Sequence, residues 1–362
     1  LDAPAAPQGY EAAWRTRVEP HWAALAPLAA RALAAHAFAS WTAYQARGVR
    51  AQVGELFVTD AVLRVECVRA CEAAGATKAA RDGVTLVVLG VLAGALIALG
   101  AIFMTVVLTG SATLPWGVGR LLGGTAFSLG LILVIVGGAE LFTGDSLMVV
   151  AWASRRITAT ALMRAWALVY LGNICGALGT AALVFLAGQY GAAGGAVGKT
   201  ALAVASAKAG LPTVQMFFLA VLCNVLVCLA VWMTLSARSL VDKVVVIVPP
   251  ITAFVASGFE HSIANMDVIP LAMLLQDFGD AGAAAAATGH AITWAGFFGN
   301  LLPVIAGNIL GGSASYTRYG MLFGANSEII VADEDGRRCP TGVHGEFRVR
   351  GSGVALNTPT LA

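Results

Sequence analysis

The feature that most limits how this chain can fold is a long apolar run that carries ionisable groups at its centre. The run extends from Val244 to Leu275, and its middle reads GFEHSIANM, from Gly258 to Met266. Ionisable side chains at bilayer depth are costly and usually face a pore, a cavity or a partner. A helix broken by glycine is tolerated there when its freed backbone is buried in protein or lines water. The run therefore predicts an interrupted membrane helix with a functional group at its centre.

A second interruption lies upstream, in the apolar run between Arg120 and Arg155. Its centre reads GGAELFTGD, from Gly137 to Asp145, and again places glycines around a carboxylate and a hydroxyl. One glycine kink in a membrane helix is common packing chemistry. Two interrupted spans, one in each half of the chain, indicate an inverted-repeat channel or transporter with its site at the midplane.

The composition excludes an ordinary soluble domain. The chain has 362 residues, of which 58% are hydrophobic and 12% charged, and its mean hydropathy is +0.80, whereas soluble domains carry about 25% charged residues. A polytopic protein of the lipid bilayer is predicted, and a net charge of +2 gives no indication of nucleic-acid binding. The six cysteines form no CxxC or His/Cys pattern at ligand spacing, so neither a metal nor another cofactor is expected.

Six apolar stretches approach the roughly 20 residues that a bilayer core requires. They are Val84–Leu108, Leu121–Ala153 (broken at 137–145), Ala159–Leu186, Thr213–Leu235, Val244–Leu275 (broken at 257–265) and Ala291–Gly312. The predicted fold class is therefore an all-α polytopic membrane protein. Its six transmembrane helices form two inverted three-helix repeats, with helices two and five broken.

The basic residues of the loops predict the orientation, because cytoplasmic loops are enriched in Lys and Arg. Nine lie on the side of the N-terminus, namely Arg64, Arg69, Lys78, Arg81, Arg155, Arg156, Arg164, Arg238 and Lys243. Three lie on the opposite side, namely Arg120, Lys199 and Lys208. This distribution places the N-terminus in the cytoplasm.

The segments before the first span are predicted to be peripheral. Residues 1–57 form an Ala-rich extension, broken by Pro27, that indicates a loose amphipathic helix, a targeting extension or an upstream-frame artefact. Residues 58–82 predict an amphipathic helix at the membrane surface. Because the chain begins at Leu1, it is expected to be a fragment or a processed product. The channel domain is predicted to be 83–313.

Several long motifs occur in order along the chain: RLLGGTAFSLGLILVIVGGAELFTGDSLMVVAWASRRIT, VYLGNICGAL, NVLVCLAVWMTLSARSLVDK, VASGFEHSIANMDVIP and LPVIAGNILGG. From about Val62 to Gly312 the chain resembles the formate/nitrite transporter family, and within it the bacterial formate channels. Aquaporins share that architecture, but their paired NPA boxes are absent here. The resemblance implies an aquaporin-like homopentamer with a pore through each protomer. It also implies a bacterial inner membrane, with an organellar membrane as the alternative, and both chain ends in the cytoplasm.

The resemblance also implies which residues line the pore. The polar set has His261 at its centre and further comprises Thr143, Glu260, Asn224, Asn265 and, at the outer vestibule in the AKAGLP loop, Lys208. The apolar constrictions on either side of the histidine correspond to Phe127, Leu131, Leu141, Phe142, Val227 and Phe254.

These residues suggest a mechanism for passing a small anion. An ion faces a steep desolvation penalty in an apolar constriction, and an imidazole can hold or release a proton near neutral pH. Lys208 is expected to attract the anion, and His261 to supply a hydrogen bond or a proton. The alternative for His261 is a purely structural tie. Glu260 is expected to anchor the loop by accepting backbone N–H bonds, and Thr143 to donate to substrate, to cap the half-helix that follows, or both.

Two departures from the family pattern remain. Asp145 gives LFTGD a mixed formate-type and nitrite-type signature. The tail, 314–362, is atypical and resembles a fragment of acyl-adenylate-forming (AMP-binding) synthetases, in which strands flank a D-x-D-G turn, but it is too short to bury its own core. A transport protein for formate is therefore predicted, not an enzyme. The alternatives are a transporter of nitrite, hydrosulfide or another small monocarboxylate, and proton-coupled secondary transport.

Overall fold

The computed structural model describes residues 67–237, 239–279, 292–323, 328–332 and 346–350, with side chains as far as Tyr316 in the last helix. The predicted extension at 1–57 and the beginning of the predicted surface helix, 58–66, lie outside the described residues. Most of the predicted tail at 314–362 also lies outside them.

The helices follow one another with short connections. They are residues 67–80 (α1), Gly83–Leu108 (α2), Trp116–Gly137 (α3), Met148–Ala153 (α4), Ala159–Leu186 (α5), Ala196–Ala209 (α6), Thr213–Leu235 (α7), Leu240–Ala256 (α8), Ser262–Phe278 (α9) and Trp294–Phe323 (α10). Short 3₁₀ turns lie at Ser111–Thr113, Gly144–Leu147 and Gln189–Gly191. Two strands, Glu328–Ala332 (β1) and Glu346–Arg350 (β2), pair antiparallel with Glu328 opposite Arg350.

Within the described residues, five helices are long and apolar enough to cross a membrane: α2, α3, α5, α7 and α10 as far as Tyr316. The second predicted span continues beyond α3 through a 3₁₀ turn into α4. The fifth predicted span consists of α8 and α9, which have 17 residues each. Each of these two is about 25 Å long, which is shorter than a bilayer core.

Three features differ from the sequence-based expectations. The helix α6 was not predicted, because its 14 residues are too short to stand out as an apolar span; Lys208 lies in its last turn, so the expected loop around Lys208 is wrong. The helix α10 continues past Gly312 to Phe323, so the predicted domain boundary at 313 falls inside it. The strand pair departs from a purely α class, and its two sequences, EIIVA and EFRVR, contain the β-branched and aromatic residues that strands favour.

Side-chain caps explain where several of the helices begin. Asp82 accepts a hydrogen bond from the backbone of Thr85 (2.9 Å) at the start of α2, and Thr158 caps α5 in the same way. Ser239 and Asp242 form a capping box at the start of α8. The hydroxyl and backbone of Thr85 also hold the pKa of Asp82 below its ordinary value. These caps supply partners for backbone N–H groups that a helix start leaves free.

The packing is organised around two close helix pairs, α2 with α5 and α7 with α10. Glycines make this approach possible. A Cβ on Gly90 of α2 would lie 2.8 Å from the carbonyl of Val169 in α5, and one on Gly307 of α10 would lie 2.7 Å from Ala220 in α7. The helices α3 and α8 pack on each other and on α2 and α7 respectively, whereas α9 packs mainly on α5 and α6.

Candidate functional site

The site lies where two of the helical runs are interrupted, and the backbone makes the same kind of turn at each interruption. We call residues 138–143 the first break and residues 257–261 the second break. Gly138 and Gly258 have φ values of 70° and 74°, in the left-handed region that glycine adopts without strain. The next residue then donates back to the preceding helix, Ala139 to Val134 in one case and Phe259 to Phe254 in the other, both at 3.0 Å.

The first break is satisfied by backbone and asparagine groups of the neighbouring helices. The backbone N–H of Glu140 donates to Leu89 of α2 (3.2 Å). The amide of Asn173 on α5 donates to the carbonyls of Gly90 (2.8 Å) and Glu140 (3.0 Å), and its oxygen accepts from the N–H of Phe142 (3.0 Å). One fully buried side chain therefore satisfies three backbone groups.

The second break repeats this arrangement with different residues. The backbone N–H of Glu260 donates to Leu219 of α7 (3.4 Å). The amide of Asn308 on α10 donates to the carbonyls of Ala220 (2.8 Å) and Glu260 (3.0 Å), and its oxygen accepts from the N–H of Ser262 (2.9 Å). Asn308 thus does for the second break what Asn173 does for the first.

Each glutamate has a cation, but the cations come from different places. At the first break, Lys78 and Arg81 both pair with Glu140, and Lys78 also reaches Asp145 at 2.6 Å. Lys78 belongs to α1 and Arg81 follows it, so this pairing docks α1 on the break. Burial opposes the charge of Lys78, but the two carboxylates outweigh it and raise the pKa of this lysine above its ordinary value.

At the second break, Lys208 of α6 donates to Glu260 Oε1 (2.8 Å). The amide of Asn265 donates to Glu260 Oε2 and to Asn300 Oδ1, both at 2.7 Å. The carboxylate therefore accepts side-chain donors, and the expectation that it accepts backbone N–H groups is wrong. Asn265 itself lies inside α9, because the second break is shorter than predicted.

A single hydrogen bond between side chains joins the two breaks. The hydroxyl of Thr143 and Nε2 of His261 are 3.0 Å apart, and both side chains are buried. Nδ1 of His261 accepts the backbone N–H of Ala264 (3.1 Å), so this imidazole caps the start of α9. Thr143 makes no capping bond to the 3₁₀ turn that follows, so the expected capping role is wrong.

The capping bond decides which nitrogen of His261 carries the proton. Because Nδ1 accepts from Ala264, the neutral ring carries its proton on Nε2, which then donates to the oxygen of Thr143. The hydroxyl hydrogen of Thr143 is left to donate elsewhere. A second proton on Nδ1 would face the N–H of Ala264, so the geometry stabilises the neutral imidazole.

The predicted constriction residues surround this bond unevenly. The ring of Phe254 stacks on His261 (centroids 5.9 Å apart), and Phe127 meets Phe254 edge to face (5.6 Å). Phe142 instead packs edge to face on Tyr170 of α5 (5.0 Å). All six predicted residues are buried in one apolar cluster: Phe127, Leu131, Leu141, Phe142, Val227 and Phe254.

Asn224 of α7 supports the first break from the other half of the chain. Its amide donates to the carbonyl of Thr143 (3.2 Å), to Ser146 Oγ (3.3 Å) and to the carbonyl of Asn308 (2.7 Å). Three buried oxygens close to the breaks have no partner among the described residues: Asn224 Oδ1, Asn265 Oδ1 and Ser262 Oγ. Buried polar atoms of this kind are typically satisfied by water or a ligand.

A cleft of about 710 Å³ opens beside the second break and reaches Gly258, Glu260 and Lys208. Lys199 and Arg120 also line it. Arg120 Nε and one terminal nitrogen donate to the last carbonyls of α8, those of Ala256 (2.9 Å) and Val255 (2.8 Å). Arg120 therefore fixes the helix end that precedes the second break.

Sequence reasoning missed the roles of Asn173, Asn308 and Arg120, and treated Lys78 only as a charge that sets orientation. A signal for the two asparagines is present, because G-N-I-x-G occurs twice, as GNICG and GNILG. An amide inside an apolar span needs partners. Because the G-N-I-x-G pattern occurs once in each half of the chain, it marks Asn173 and Asn308 as equivalent positions. No comparable pattern marks Arg120.

Comparison with known proteins gives the family. A family model described as formate/nitrite transporter matches residues 65–319. The chain belongs to the formate/nitrite transporter family. Family membership confirms the prediction of a transport protein and not an enzyme, and it makes the chain an integral membrane protein whose five long apolar helices fit that setting.

Relatives within the formate/nitrite transporter family are similar over most of their length. The formate channel FocA of Escherichia coli (strain K12) is 40% identical over 282 residues, which cover 76% of this chain and 96% of that protein. The formate channel FocA of Haemophilus influenzae is 43% identical over 230 residues, covering 62% and 81%. A solved structure described as a pentameric formate channel with formate bound matches with a TM-score of 0.63 and 42% identity, covering 66% of this chain and 96% of that one.

Proposed function

We propose that this protein is a formate channel that passes a small monovalent anion, or its neutral acid, through a pore in each protomer of a homopentamer. The relatives named formate channels and the pentameric neighbour with formate bound support this proposal. The observation that carries it within this chain is the buried bond between Thr143 and His261. At this point a hydroxyl and an imidazole meet among the buried apolar side chains of the predicted constrictions.

We also propose six spans in two inverted repeats, with α3–α4 and α8–α9 as the interrupted members. The matched breaks support this arrangement, because Gly138 and Gly258 adopt the same conformation and Asn173 and Asn308 make equivalent bonds. The pairing of α2 with α5 and of α7 with α10 adds a second correspondence between the halves. The order of elements is that of an aquaporin-like fold.

In the proposed mechanism the cleft collects the anion. Arg120, Lys199 and Lys208 line it together with one carboxylate, Glu260, so the cleft carries an excess of positive charge. Because Lys208 is already paired with Glu260, attraction comes from the cleft as a whole. Such fields raise the local concentration of an anion and weaken with salt.

At the centre, His261 and Thr143 act as hydrogen-bond donors. The hydroxyl hydrogen of Thr143 is free to bond a carboxylate oxygen, because Nε2 of His261 supplies the proton that the Thr143 oxygen accepts. The imidazole stays neutral, since Nδ1 is occupied by the N–H of Ala264. The proton that neutralises the substrate then comes from water and not from His261. A neutral acid avoids most of the desolvation penalty that an ion would face in the apolar constrictions.

The proposed location is a bacterial inner membrane with both chain ends in the cytoplasm, as nine basic residues against three favour. This orientation places the cleft on the outer face, because its residues come from the connections between α2 and α3 and between α5 and α7. The pairing of α1 with Glu140 then lies on the cytoplasmic side.

The test is uptake of labelled formate, and separately of nitrite, into proteoliposomes at two pH values. For His261→Phe we expect formate flux to fall at least roughly tenfold, because Thr143 and the N–H of Ala264 both lose the imidazole. A buried group left without its partner costs about 1–3 kcal/mol, and about 1.4 kcal/mol corresponds to a factor of ten. Leu183→Ile, at an exposed position of α5 that the proposed mechanism does not use, serves as the control and is expected to retain flux.

Each other outcome has a defined meaning. An unchanged rate and pH dependence in His261→Phe removes His261 from the mechanism. Faster nitrite than formate flux replaces formate as the substrate. Saturation of uptake at low substrate concentration makes the protein a proton-coupled transporter and not a channel, because accumulation driven by a pH difference alone also follows from passage of the neutral acid.

A further inference from the structure

Asp267 on α9 is a buried carboxylate that the proposed function does not use. Its side chain is 1% exposed, and its Oδ1 has no hydrogen-bond partner in the described part of the chain. Other buried acids are paired: Glu140 and Asp145 with Lys78, and Glu260 with Lys208. No ion pair involves Asp267 among the residues that the structure describes.

The helices packed on α9 bring no cation to this carboxylate. α2 has no charged residue, and the described side chains of α10 include none. On α6, Lys208 is held by Glu260 and Lys199 lines the cleft. The titratable groups on α5 are Arg164, which donates to the carbonyl of Arg81, together with Tyr170 and Cys175. On α9 itself, Asp277 is a second acid and His261 is the N-cap.

A small cavity adjoins Asp267. It measures about 10 Å³ and is lined mostly by apolar side chains of α2, α6 and α9, with Thr105, Gln189 and Tyr190 as the polar members. This volume is close to the smallest that holds one water molecule. The hydroxyl of Thr105 already donates to Ala101 (2.8 Å), so it offers the cavity only an acceptor. Gln189 and Tyr190 can each accept as well as donate, so the lining offers acceptors to a water that bonds a donor on Asp267.

We propose that Asp267 is a proton-binding site, occupied at neutral pH, whose carboxylic O–H bonds a single water trapped in this cavity. An unpaired carboxylate in an apolar site is far more costly than the neutral acid, so the group binds a proton instead of holding a charge. A hydronium ion of the aqueous phase gives up one proton, so one O–H bond breaks on the hydronium, which becomes water, and one O–H bond forms on the carboxyl. The water bridges the acid to the acceptors that line the cavity.

This proton affects the neighbouring pore. Asp267 lies six residues after His261, about 9 Å along the axis of α9. A negative charge at that distance repels an anion held at His261, and at an effective dielectric constant near 20 the repulsion lowers its occupancy on the order of tenfold. This consequence rests on the proposed function, whereas the proton site itself does not.

Infrared spectroscopy of the protein in lipid vesicles tests the site without any transport measurement. We expect wild type at neutral pH to show a protonated-carboxyl C=O band that shifts in D₂O and is lost in Asp267→Asn. The matched control is Asp145→Asn, which removes a buried aspartate paired with Lys78 and is expected to leave the band. Absence of the band from wild type overturns the proposal, and so does its persistence in Asp267→Asn.

Two further measurements keep the test decisive if Asp267→Asn does not insert. Asp267→Glu keeps the acid and is expected to move the band in frequency, whereas an unmoved band assigns it to another residue and overturns the proposal. In thermal unfolding, wild type is expected to lose stability as pH rises, because the folded state holds a proton that the unfolded chain releases. A wild type whose stability does not fall as pH rises contradicts the site.

Discussion

The first break and the second break share a left-handed glycine, a buried glutamate and an asparagine from a later helix, yet they differ at the residue after the glutamate. That residue is Leu141 in the first break and His261 in the second. Both are buried in the same apolar cluster or directly beside it. The backbone scheme is thus a scaffold used twice, and the imidazole is placed on only one copy.

The breaks also differ in what holds their glutamates. Glu140 depends on Lys78 and Arg81, next to or within α1, whereas Glu260 depends on Lys208 of α6 and on Asn265 of α9. One break is therefore tied to an element that precedes all the spans. The other is completed from within the bundle.

The largest expected effect tests the shared scaffold. Asn173→Ala removes the partner of the Glu140 carbonyl and of the Phe142 N–H, and Asn308→Ala removes that of the Glu260 carbonyl and of the Ser262 N–H. Each unmet buried group costs about 1–3 kcal/mol, whereas the carbonyls of Gly90 and Ala220 keep their bonds within α2 and α7. We expect both to lower the free energy of unfolding by roughly 3 kcal/mol or more, and by similar amounts. Denaturant unfolding in detergent micelles measures this.

The controls for that comparison lie on the same helices. Thr180→Ala on α5 and Ser315→Ala on α10 each remove a hydroxyl that bonds only its own helix, to Gly176 and Gly311, and are expected to cost well under 1 kcal/mol. If only one asparagine variant is destabilised, the two breaks are not equivalent.

A smaller loss of stability is expected from removing the lysine that pairs with either glutamate, and it tests whether Glu260 depends on its lysine more than Glu140 does. Lys208→Gln leaves Glu260 without its cation, whereas Lys78→Gln leaves Glu140 with Arg81. Breaking a buried pair costs about 3–5 kcal/mol, and partial exposure of Lys208 reduces this to about 2 kcal/mol. We expect Lys78→Gln to lose less free energy of unfolding through Glu140, because Arg81 remains paired with that carboxylate.

The Lys78 variant has one complication that the structure identifies. It also frees Asp145, so Lys78→Gln is compared with the double variant Lys78→Gln/Asp145→Asn, again by denaturant unfolding. The double variant is expected to recover part of the loss. If Lys78→Gln/Asp145→Asn is still less stable than Lys208→Gln, then Glu140 depends on its lysine more than Glu260 does, contrary to expectation.

The smallest expected effect concerns Arg120, whose bonds to the end of α8 have no described counterpart at the end of α3. Arg120→Gln removes the charge and the paired donors, and Arg120→Lys keeps the charge but not the planar fork. We expect both to lower the free energy of unfolding by about 1 kcal/mol, measured in the same detergent. A lysine variant as stable as wild type would show that charge matters here and capping does not.

The positions of the five long apolar helices and of the two breaks could be predicted from the sequence. Long apolar runs mark the helices, and charged groups inside such runs mark the breaks, because a charge is costly in an apolar environment. The family resemblance placed Thr143 and His261 in one polar set, and the structure brings these two side chains to 3.0 Å from each other. The bonds of Glu260 and the role of Asn173 could not be predicted, because side-chain partners depend on which helices become neighbours. The resemblance of the tail to a synthetase fragment and the nature of residues 1–57 stay predictions.

The asparagines that complete the breaks have a consequence for how the chain is built during synthesis. Asn173 lies on α5 and Asn308 on α10, and each comes after the break that it satisfies. When the first break leaves the ribosome, the carbonyl of Glu140 and the N–H of Phe142 lack their partner until α5 arrives. The carbonyl of Glu260 and the N–H of Ser262 wait in the same way for α10. Each break is therefore completed during synthesis only after the helix that carries its asparagine has been translated, first α5 and later α10.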